Sequence, residues 1–157
     1  MILAWRLLKT SPIVRVGLEK NLKDQGIRME RPIVLVDADK AECKKLSALL
    51  ESKNYRIVAS HSLSNLERNV EEGAVKVVIL DLDTLPVDNR FITQLRRQNP
   101  EVRIMGLSNR PFHPELKEAI SKHFYACLYR PVDTEELFYW LRSIDDNEVS
   151  SKNSEGL

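Results

Sequence analysis

Residues 75–81 read VKVVILD: an apolar run broken only by Lys76 and closed by the carboxylate of Asp81. Three of its seven residues are β-branched valines and a fourth is isoleucine. The run is too short for a typical helix, so it reads as a strand. The uninterrupted stretch VVIL, with no polar alternation, predicts a central strand covered on both faces. Four similar runs lie around it: IVLVD at 33–37, YRIVAS at 55–60, VRIMGL at 102–107 and YACLY at 125–129. The five starts are separated by 22, 20, 27 and 23 residues, which leaves room for one helix in each interval. That is the pattern of successive βαβ units. The predicted fold is therefore α/β, an open doubly wound five-stranded parallel sheet, and the common strand order for it is 2-1-3-4-5.

The intervals carry helix signals. Ser64 with Glu67, and Asp133 with Glu136, have the spacing of capping boxes. Pro114 suits a first helical position after a capping His113. Gly73 and Pro100 mark stops. The last helix sets Leu137, Trp140, Leu141 and Ile144 on one face. Its adjacent aromatics Phe138, Tyr139 and Trp140 cannot all reach the core, so at least one is expected to face solvent. Residues 1–31 form a basic extension, with seven basic residues against three acids and a helix expected from Ser11 to about Gly26. Residues 32–144 form the domain. Residues 145–157, with four acids and one lysine, are expected to be a disordered polar tail.

The 157 residues suit one domain, and 43% apolar with 30% charged residues is the composition of a globular chain. A formal net charge of +1 gives no field to steer nucleic acid, so no direct nucleic-acid binding is expected. No apolar run approaches the ~20 residues needed to span a bilayer, so no membrane partner is expected. Cys43 and Cys127 form no CxxC framework, and a cytoplasmic location is the expectation. The five glycines form neither GxGxxG nor a P-loop.

In an open parallel sheet, chemistry sits at the carboxyl ends of the strands. Asp37 ends the first strand and Asp81 the third; Ser108 follows the fourth and Arg130 the fifth. In the order 2-1-3-4-5, Asp37 and Asp81 are neighbours across the switch point. Two carboxylates this close need a divalent cation or a basic residue to stay ionised. Magnesium suits such an all-oxygen site. Ser108 and Arg130 could hold a phosphoryl group.

These pieces in this order resemble a response-regulator receiver domain of two-component signalling. The resemblance rests on VDAD at 36–39, VVILD at 77–81, Leu85-Pro86, Ser108, and Arg130-Pro131 followed by Asp133 and the final helix. It implies Asp81 as phosphoacceptor, with Asp37, Asp81 and the backbone carbonyl of Asp83 holding magnesium. Asp39 is a further candidate ligand. It implies Ser108 as switch hydroxyl, Arg130 as the basic group, and a cis bond between Arg130 and Pro131. It also implies no enzymatic turnover, a histidine kinase or phosphotransfer protein as donor, and a downstream protein partner; a homodimer is compatible with it.

Four features depart from the family pattern. Ala38 stands where a second acid is usual, and Arg130 stands where a lysine is usual. Asp81 lies five residues, not four, before Pro86, and Cys127 occupies the usual aromatic position. These departures imply weakened magnesium binding and keep a second reading open, a pseudo-receiver that only binds partners. A third reading takes Asp81 and Asp83 as the DxD motif of a haloacid-dehalogenase-type phosphatase, with Ser108, Arg130 and the pair Asp145-Asp146 in supporting parts.

Overall fold

The computed structural model describes residues 32–154. The expected N-terminal basic helix lies outside them. The elements run β1 (Ile33–Val36), α1 (Lys40–Ser52), β2 (Ile57–Ser60), α2 (Leu66–Gly73), β3 (Val77–Asp81), α3 (Asn89–Gln98), β4 (Arg103–Ser108), α4 (Lys117–His123), β5 (Phe124–Tyr129) and α5 (Thr134–Ser154). All strand pairings are parallel and the order is β2-β1-β3-β4-β5, as predicted.

Alternation along each strand divides the core between the two faces. Ile33 and Leu35 of β1, with Val77 and Ile79 of β3, pack under α1 and α5. Val34 and Val36, with Val78 and Leu80, pack under α2, α3 and α4. All four residues of β1 and all five of β3 are buried, which is why these runs lack a polar phase. β5 pairs with β4 through a register shift between Ile104 and Met105. Gly106 of β4 sits where a Cβ would come within 2.9 Å of both Leu82 and Phe124, so only glycine leaves room for those side chains.

Two local expectations are corrected. Ser64 does not cap α2: a 3-10 turn over Leu63–Asn65 precedes the helix, and the Ser64 hydroxyl lies 2.8 Å from that of Ser62. The disordered tail expected from Asp145 is instead helix as far as Ser154. Composition could not reveal a contact that anchors the start of this stretch. Lys76, buried beside β3, forms an ion pair with Asp145 and holds that turn of α5 against the sheet.

Candidate phosphoacceptor site

The register assembles the site. Val36 of β1 lies beside Leu80 of β3, so the next residues, Asp37 and Asp81, emerge side by side at the carboxyl edge. Ser108 pairs with Tyr129, and the Arg130 backbone N–H donates to the Ser108 carbonyl at 2.9 Å. The Arg130–Pro131 bond is cis, as expected.

Asp37 and Asp81 are 1% and 2% exposed, yet both carboxylates have nearby charge or hydrogen-bond donors. Arg130 Nη2 donates to Asp37 Oδ2 at 2.7 Å and stands 3.5 Å from Asp81 Oδ1. Arg130 Nη1 reaches Glu42 Oε2 at 3.4 Å. Asp37 Oδ1 accepts from the Asp39 backbone N–H at 2.9 Å. The Thr84 hydroxyl donates to Asp81 Oδ2. Asp81 Oδ1 is buried and accepts no hydrogen bond. Burial pulls the Arg130 guanidinium down. The hydrogen bond that Arg130 donates to Asp37 and the charges of Asp37, Asp81 and Glu42 outweigh it and hold the pKa above its ordinary value.

Ser108 belongs to an adjoining network. Its Oγ lies 3.2 Å from Asp83 Oδ1, 2.9 Å from the Arg110 backbone nitrogen, and within hydrogen-bond contact of His113 Nε2. Asp83 also accepts from the Asn109 backbone N–H at 2.5 Å. Arg110 Nη2 lies 2.8 Å from both His113 Nδ1 and Glu115 Oε1. Among the described residues, Asp81 is not a hydrogen-bond partner of Ser108. His113 holds the N-cap position of the turn Pro114–Leu116, but its ring is committed to this network and makes no capping bond.

Asp39 is a helix cap: its Oδ1 accepts from the backbone N–H groups of Ala41 at 3.0 Å and Glu42 at 3.1 Å. The Asp83 carboxylate is likewise turned to Ser108 and Asn109. Among the described residues, no three His, Cys, Asp or Glu side chains converge in a way that could hold a metal ion. Asp81 Oδ1 is a hard oxygen of the kind magnesium takes, but Asp37 Oδ2 is already held by Arg130. The present arrangement of donors therefore does not fit the ion.

Sequence reading missed Glu42 and Thr84. Glu42 follows Asp39 by three residues, a capping-box spacing that was there to be read. Thr84 is the first hydroxyl after Asp81.

The Response regulator receiver domain family matches residues 33–142. The chain belongs to this family. The fold of this receiver is shared by solved structures at low sequence identity. A signal receiver domain of an HD domain-containing protein from Pseudomonas fluorescens has TM-score 0.68 and 22% identity, covering 77% of this chain and 99% of that one. A CheY-like response regulator receiver domain protein from Methanospirillum hungatei has TM-score 0.67 and 14% identity, covering 76% and 98%. The signal receiver domain of a putative Luxo repressor protein from Vibrio parahaemolyticus has TM-score 0.69 and 12% identity, covering 82% and 100%. No curated protein matches the sequence. Receiver domains are typically non-enzymatic modules that interact with histidine kinases and downstream effectors, and they generally bind magnesium at an acidic pocket. Among the described residues, no helix of this receiver is long and apolar enough to cross a membrane.

Proposed function

We propose that this receiver accepts a phosphoryl group on Asp81 and acts as a conformational switch or docking module rather than as an enzyme. The observation that carries the reading is the state of the Asp81 carboxylate. It is buried at the carboxyl edge of the sheet, one oxygen is bound by Thr84, and the other is unpartnered and faces a guanidinium. In this reading Oδ1 is the nucleophile. Attack on a phosphohistidine would form the O–P bond and break the P–N bond, and the imidazole would leave with the electron pair and take up a proton. Arg130 lies where it can offset the charge that accumulates. Magnesium belongs to this reading only in weakened form, because Ala38 supplies no carboxylate and Asp39 is a helix cap.

The transmitted change would start from Thr84, which also lies 3.4 Å from the Ala38 backbone N–H, and from the Ser108 network. Tyr129, 51% exposed, and Phe112, 61% exposed, flank a groove lined by Lys117 and Ile120, which suits a protein partner. On α5, Tyr139 offers a third exposed aromatic for a partner or a second copy of the chain.

The phosphatase reading fares poorly. Asp145 is paired with Lys76, at the opposite end of β3 from Asp81, so it has no route to the same phosphate.

The test is amide NMR of the protein with magnesium chloride, before and after adding phosphoramidate. Shifts at Thr84, Ser108 and Tyr129 that are absent in Asp81→Asn support the switch. Unchanged spectra would favour the pseudo-receiver that only binds partners.

A further inference from the structure

We propose that Arg130 is the built-in counter-cation of this pocket and competes with a divalent ion for Asp37. The inference concerns the same pocket as the proposed phosphoacceptor, but it needs no phosphotransfer to hold.

The geometry has three parts. First, the guanidinium is closer to Asp37 than to Asp81, at 2.7 against 3.5 Å, so its main contact is with the carboxylate that a metal would need. Second, its other arm extends to Glu42 at 3.4 Å. One planar fork thus faces three acids from β1, α1 and β3, a span that suits guanidinium and exceeds what a compact ammonium can cover. Third, Arg130 is itself largely buried, its side chain 14% exposed, and is tethered at the Ser108 carbonyl by its backbone N–H. A cation fixed in the chain has no translational freedom to lose on pairing, whereas a free ion must shed water and displace it.

The same arrangement explains how the site tolerates Ala38. With Ala38 adding no carboxylate, the guanidinium lies within 3.5 Å of both buried aspartates of the pocket. The edge of the fork stands 3.5 Å from Asp81 Oδ1, which accepts no hydrogen bond.

Calorimetric titration of the full chain with magnesium chloride tests this, alongside Arg130→Lys and Arg130→Met, each checked for folding by circular dichroism. The wild type is expected to bind no tighter than tens of millimolar. Both variants are expected to bind at least tenfold more tightly, since Asp37 Oδ2 is released. In the wild type, the Arg130 side-chain NMR resonances are expected to shift in step with magnesium occupancy; this readout needs no variant to fold. Submillimolar binding by the wild type would overturn the proposal. So would folded variants that bind no tighter, or Arg130 resonances that stay fixed as the metal binds.

Discussion

Arg130 donates to Asp37 at 2.7 Å and stands 3.5 Å from Asp81, so the basic residue that follows β5 bridges the switch point of the sheet. An ion pair this deeply buried contributes little net stability when intact, but removing one partner leaves an uncompensated charge. Arg130→Ala is expected to lower unfolding stability by about 3–5 kcal/mol, read from urea denaturation. Arg130→Lys should lose less, because Asp81 keeps a cation. A loss within ~0.5 kcal/mol for Arg130→Ala, the usual range of a surface substitution, would mean that the pocket is not closed around the guanidinium.

The pair Lys76–Asp145 is a second test of buried charge, at the other end of β3. Lys76→Met alone is expected to cost about 3 kcal/mol, the lower end for a broken buried pair, because Asp145 keeps some access to water. Combining it with Asp145→Leu should recover most of that loss. A double variant as unstable as the single one would show that the charge at 145 is not the source of the cost.

The strands were legible in the sequence because burial on both faces of β1 and β3 left uninterrupted β-branched runs; the spacing then gave successive βαβ units, and the order followed from the one common to such sheets. Asp37, Asp81 and Arg130 were legible as strand-end residues, and the structure brings them into one cluster. Ser108 was also found, but its hydrogen bonding with Asp83, Arg110 and His113 was not. They come from two loops whose approach leaves no periodic trace. Helicity beyond Ile144 was hidden for a similar reason: a polar composition looks unstructured until Lys76 supplies a partner from sixty-nine residues away. The capping pattern at Ser64 was misleading, since that hydroxyl is taken up by Ser62.

The aromatic triplet on α5 is resolved by helical phase. Phe138 is 6% exposed and lies beside Tyr55, with ring centroids 6.0 Å apart, while Tyr139 is 59% exposed. Phe138→Ala is expected to cost about 3–5 kcal/mol, and Tyr139→Ala to stay within ~0.5 kcal/mol. Thermal or urea unfolding of the two variants measures this. Equal losses would mean that α5 is rotated from the orientation described.

The two thiols should be inert in the folded protein. Burial pushes the Cys127 thiol up to about 11, and burial followed by the charge of Asp37 raises Cys43. Iodoacetamide at pH 8 should label both slowly, and quickly once urea unfolds the chain, because the thiolate is the nucleophile. The sign for stability follows from a folded pKa above the unfolded value of about 8.5. This contribution is intact below that pH and is lost as pH rises toward the folded value. Rapid labelling of Cys127 without denaturant would contradict a raised pKa at this half-buried position in β5.

The most direct measurement is the intact mass of the full chain after incubation with magnesium chloride and phosphoramidate, run in parallel on Asp81→Asn. Transfer to Asp81 predicts a gain of one phosphoryl group in the wild type that is absent from the variant. A wild-type mass that never changes, or a gain that survives Asp81→Asn, would contradict Asp81 as the phosphoacceptor.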